Sequence, residues 1–116
     1  MPLVTVVHDE RCSDAELQDL ARVLPAIVAE AVECPEEPYD GHLGPGDIEL
    51  RFVARGPHDS RDLRCVIEVT TGWFESRARN RQERSDAIGR ALQRQLGLRD
   101  FGVLLLLPAC GWSQYP

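Results

Sequence analysis

The chain has 116 residues, 43% of them hydrophobic and 28% charged, the size and balance of one globular domain. All thirteen basic residues are arginine, and against nineteen carboxylates they leave a formal net charge of −6. Such a surface is a poor match for nucleic acid, whose affinity comes mainly from surplus positive charge. No apolar run reaches the roughly 20 residues of a membrane span, and none at the start resembles a signal peptide. Lysine chemistry, whether Schiff base or P-loop, is excluded because the residue is missing. The four cysteines (Cys12, Cys34, Cys65, Cys110) form no CxxC pair and have no histidine at ligand spacing. Reduced thiols in a cytoplasmic protein, with no metal, are the expectation.

Residues 3–7 (LVTVV) are rich in β-branched side chains and predict a buried strand. Ser13 and Glu16 then have capping-box spacing. Leu17, Leu20, Ala21, Leu24, Ile27, Val28 and Ala31 follow at helical intervals, one apolar face of a helix with Pro25 inside it. Residues 34–47, with three prolines, three glycines, Tyr39 and His42, predict a long acidic loop. A strand over 47–54 alternates Ile48, Leu50, Phe52 and Ala54 against Glu49, Arg51 and Val53.

After a turn at Gly56 and Pro57 the plan repeats. Residues 63–70 alternate as a strand, and an arginine-rich connector follows. Asn80 and Glu83 predict a second capping box, before a helix whose stripe runs Ile88, Ala91, Leu92, Gln95 and Leu96 and which stops at Gly97. Residues 101–107 (FGVLLLL) form a continuous apolar run suited to a central strand. The fold class is α/β (α+β). One domain spans 1–116, built of tandem β-α-β units over about 2–56 and 62–112, with two helices on one face of a four-stranded sheet. Each crossover makes its two strands parallel. Nothing remains in the chain to cover the sheet's other face, where Val53 and Val66 stand beside Arg51 and Glu68, so oligomerisation through that face is expected.

Pro2 directly follows the initiator Met1. Once Met1 is removed, its nitrogen is a secondary amine held by the strand behind it. An α-amine titrates near 8, and burial beside guanidinium groups lowers that value toward the range of an efficient general base.

Taken together, a proline after the initiator methionine, a strand, Arg11 before Ser13-Asp14-Ala15-Glu16, and the duplicated β-α-β unit resemble the tautomerase superfamily. Two units rather than one point to the branch of 5-carboxymethyl-2-hydroxymuconate isomerase and macrophage migration inhibitory factor. Ile48-Glu49-Leu50-Arg51 resembles that branch's Ile-x-x-Arg strand. Arg79-Asn80, with Arg84 five residues past Arg79, is the nearest match to its Gly-Arg-Ser turn, inside a longer connector that also holds Arg77 and Arg81. Gly111-Trp112 resembles its Asn-Trp-Gly element.

The resemblance implies a homotrimer and a cofactor-independent isomerase with Pro2 as general base. Arg51 and Arg79, then Arg11 and Arg77, would bind a small 2-oxo or 2-hydroxy unsaturated carboxylate. Trp112, with Trp73 and Phe74, would wall off water. The alternatives are a hydratase- or dehalogenase-like lyase, with Glu49, Glu68 or Asp9 activating water, and a non-catalytic trimeric acid-binding protein that retains Met1.

Overall fold

The computed structural model describes residues 2–37, 40–60 and 62–116; Met1 and Tyr39 lie outside the described residues. Strand β1 (Leu3–His8) leads into helix α1 (Asp14–Val32), then a 3-10 turn (Pro45–Asp47) and strand β2 (Glu49–Ala54). Strand β3 (Cys65–Thr70), a one-turn helix α2 (Glu75–Ala78), helix α3 (Arg81–Leu96) and strand β4 (Phe101–Leu106) complete the chain. The tandem β-α-β plan is therefore present, with α2 as an additional turn inside the connector.

The sheet order is β2-β1-β3-β4. β1 runs parallel to β2, and β3 parallel to β4, as crossover helices require. The two units meet through antiparallel β1 and β3, with Leu3 opposite Thr70 and His8 opposite Cys65. This join corrects one expectation: the apolar run 101–107 is not central. β4 is an edge strand, with Leu104 and Leu106 exposed. Its continuous apolarity has another cause. Val103 and Leu105 pack on the core under the helices, while Leu104 and Leu106 alternate onto the open face.

α1 begins where the residues predict: Glu16 N donates to Ser13 Oγ, and Ser13 N to Glu16 Oε1, both at 3.1 Å. It runs unbroken through Pro25 and buries Leu20, Val23, Leu24, Ile27, Val28 and Val32 against Val4, Val6, Ile67 and Val69 of the central strands. Each such aliphatic side chain contributes about 1.5–3 kcal/mol on burial. The helix stops short of Pro35, which disfavours helical backbone at the residue before it.

α3 departs from the expected capping box. Asn80 makes no side-chain cap, because its Oδ1 accepts instead from Arg84 Nε at 2.8 Å. Gly97 ends this helix in the left-handed region at φ 62°, as a C-terminal glycine does. Both long helices lie on one face of the sheet, and among the described residues no helix is long and apolar enough to cross a membrane.

The other face is open. Alternation puts Leu3, Thr5, Val7, Arg51, Val53, Val66, Glu68, Leu104 and Leu106 there. It is a mainly apolar surface with a few charges.

Candidate active site

Pro2 heads β1, and its side chain is fully buried. Its carbonyl accepts from Glu49 N at 3.0 Å, which ties it into the β2 ladder. Continuing the antiparallel register by one residue sets Thr71 across from it. Thr71 N donates to Leu106 O at 3.1 Å and Trp73 N to Pro108 O at 3.0 Å. The connector therefore leaves β3 alongside the end of β4, and the Pro2 end of the sheet is bounded by the 71–74 connector and the C-terminal tail.

Arg77 comes from α2 and is fully buried. Nε and Nη2 donate to Val32 O at 2.9 and 2.8 Å. Nη1 donates to Thr71 Oγ1 at 3.2 Å and to Gly72 O at 2.8 Å. The remaining Nη2 hydrogen goes to Asp40 Oδ2 at 2.7 Å. All five guanidinium donors are thus engaged within the protein, and the Phe74 ring stacks 5.6 Å from Arg77 Cζ.

Arg84 acts beside it. Its Nη1 donates to Ala31 O at 3.0 Å and Glu33 O at 2.9 Å. α1 carries no basic residue in its own last turn, so these two arginines of the second unit satisfy its terminal carbonyls and complement its dipole. The density of arginine between positions 77 and 84 is explained in part by this capping. Arg81 Nη1 turns back to Ala78 O at 3.3 Å. Arg79 is exposed, and among the described residues its guanidinium makes no hydrogen bond. Glu36 lies within its electrostatic reach and that of Arg84.

The other candidate residues stand apart from Pro2. Arg51 projects onto the open sheet face, more than half exposed, and pairs with Glu49 at 3.2 Å. Arg11 lies past the far end of β1, a strand roughly 20 Å long; it pairs with Asp9 at 2.9 Å and approaches Asp100 at 3.8 Å. Trp112 is exposed in the extended tail, and Trp73 is exposed as well. Within the chain, therefore, Pro2, Arg77 and Arg79 share one end of the sheet, while Arg51 and Arg11 do not join them. Grooves of about 440 Å³ between α1 and α3, and about 320 Å³ between α3 and β4, are not lined by Pro2.

Two functional groups at this end escape the sequence reading. Asp40 is a buried carboxylate from the long loop, one of many acids there with no motif to distinguish it. Thr71 is a buried hydroxyl one residue past a strand. Of the carboxylates considered as water activators, Asp9 is at the wrong end of β1. Glu49 and Glu68 face the open side of the sheet.

No protein-family model matches the sequence, and no curated protein matches it. Solved structures do. The chain is similar to malonate semialdehyde decarboxylase, a structure described for its decarboxylase and hydratase activities, with TM-score 0.65 at 16% identity over 98% of this chain and 91% of that one. A fused 4-OT symmetric trimer matches with TM-score 0.59 at 15% identity, over 92% and 85% of the two chains. A 5-carboxymethyl-2-hydroxymuconate delta-isomerase matches with TM-score 0.53 at 15% identity, over 100% and 86%. The chain shares the fold of these structures.

Proposed function

We propose that this protein is a cofactor-independent isomerase of the tautomerase superfamily. In this reading Pro2, exposed as an amine by removal of Met1, is the general base. The observation that carries the reading is the buried proline at the head of a central strand, next to an arginine-bearing connector. Burial and neighbouring positive charge both disfavour an ammonium and bring the amine toward the operating range of a base. The amine takes a proton from the enol oxygen, or from the carbon next to the carbonyl, of a 2-hydroxy or 2-oxo unsaturated carboxylate. The electron pair spreads over the dienolate, and the resulting ammonium returns the proton at another carbon.

Arg79 is the cation for the substrate carboxylate within the protomer, since its planar fork suits that group and, among the described residues, makes no hydrogen bond. Arg51 and Arg11 serve a neighbouring copy's pocket in a homotrimer, and Trp112 helps to close its mouth. Arg77 leaves the ligand set because its donors are spent. The four free thiols suit a cytoplasmic location.

The test combines intact mass with a ketonisation assay on phenylenolpyruvate. The mature mass should lack Met1, and Pro2→Ala should lower the rate by about 10²–10⁴-fold. A retained methionine, or an unchanged rate in Pro2→Ala, sinks the proposal.

Asp40 favours a second reading, a lyase that adds water to a small unsaturated acid. There the carboxylate takes a proton from water, the hydroxide adds to one alkene carbon, and a Pro2 ammonium protonates the other. Incorporation of ¹⁸O from labelled water into product, abolished by Asp40→Asn, distinguishes it from proton transfer alone.

A further inference from the structure

We infer that Arg77 is a positioning residue for the Pro2 reaction, an assignment that rests on the general-base reading above. Its guanidinium holds Val32 and Asp40 to the 71–74 connector at the Pro2 end of the sheet. One side of the fork takes Val32 O and Asp40 Oδ2, from the end of α1 and the loop beyond it. The other takes Thr71 Oγ1 and Gly72 O, from the connector.

Thr71 is the residue across from Pro2 and is bonded in turn to Leu106. A shift of Arg77 therefore carries the wall beside the amine with it. Full burial and five satisfied donors leave no N–H for a substrate carboxylate. The cost of burying the charge is offset by Asp40 and by the negative end of the α1 dipole. Lysine has three donors at one point instead of a planar fork and cannot reach both segments at once.

The experiment uses the full chain with Arg77→Lys, Asp40→Asn and Arg79→Ala, assayed on phenylenolpyruvate and on its uncharged methyl ester. Arg77→Lys should lower kcat by about ten- to a hundredfold on acid and ester alike, with KM moved less than about twofold. Amide exchange should accelerate in 71–74 and 33–37 but not in β1 or β3. Arg79→Ala should instead raise KM for the acid alone.

An acid-selective rise of KM in Arg77→Lys, with the ester unaffected, overturns the inference and makes Arg77 a ligand. Unchanged kcat and unchanged exchange overturn it as well. If Arg77→Lys does not fold, Asp40→Asn removes the pair's charge while keeping an acceptor for Nη2, and is read by the same criteria. Full activity in Pro2→Ala would reject the reaction itself and with it a catalytic purpose for the clamp, an outcome separate from any result at Arg77.

Discussion

Arg55 Nη1 lies 3.0 Å from Asp9 Oδ2, so the residue just past β2 holds the residue just past β1 by a nearly dry ion pair. The same nitrogen donates to Leu63 O at 2.6 Å, drawing in the start of the second unit. Arg11 reaches Asp9 from the solvent side, with Nε at 3.1 Å from Oδ1 and Nη2 at 2.9 Å from Oδ2. Among the described residues, the far end of the sheet is thus closed by one buried carboxylate held by Arg55 and Arg11.

Removing that carboxylate leaves Arg55 with a buried, uncompensated charge. Asp9→Ala should therefore cost about 3–5 kcal/mol of unfolding free energy in a urea titration. Arg11→Ala, at a half-exposed side chain, should cost clearly less. An Asp9→Ala protein as stable as the parent would show that the Asp9–Arg55 pair does not hold this end.

The open sheet face carries Val53, Leu104 and Leu106, each between 43% and 47% exposed, a grouped apolar exposure of the kind that marks an interaction surface. Sedimentation should give an assembly in which these faces are covered, with a homotrimer as the proposed state. Leu104→Asp should drive it to protomer mass with an unchanged far-ultraviolet circular dichroism spectrum. A parent protein that sediments at 13.0 kDa at micromolar concentration would rule the assembly out.

The thiols divide by burial. Cys110 is exposed, whereas Cys12, Cys34 and Cys65 are buried, so a thiol reagent at neutral pH should titrate one group at once and three on unfolding. Burial, reinforced by the neighbouring Cys12 thiol, pushes the Cys65 thiol up to about 12 from an ordinary value of 9.0. Between those values the unfolded chain has released this proton while the folded chain still holds it. Stability therefore falls as pH rises, by at most about 1.4 kcal/mol per unit from this group. Cys65→Ala should flatten that alkaline slope in denaturation curves taken from pH 8 to 11; an unaltered slope would count against it.

Periodicity carried most of the fold. The Ser13–Glu16 box, the α1 stripe and the alternation in β3 each depend on neighbours within a few residues, and they are found where those local rules put them; β2 instead starts at Glu49, after a 3-10 turn at Pro45–Asp47, and Phe52 and Ala54 of its apolar set are exposed. The 101–107 run misled, because continuous apolarity describes two covered faces without saying what covers them. A central strand and an edge strand awaiting a partner look alike in one dimension. The arginines were harder still. Arg77, Arg79, Arg81 and Arg84 are equivalent in the sequence, yet two cap α1, one folds back on its own turn and one stands in solvent.

By itself, then, the sequence determined the local conformations and the duplication, since backbone preference and side-chain period act over short separations. Tertiary structure alone decided which arginine has donors left to offer. That depends on carbonyls and carboxylates 5 to 45 residues away, such as Gly72, Asp40 and Val32 for Arg77, and no local rule brings those together. It likewise decided that Arg11 and Pro2, nine positions apart, stand at opposite ends of one strand, because extended backbone separates what the sequence sets side by side.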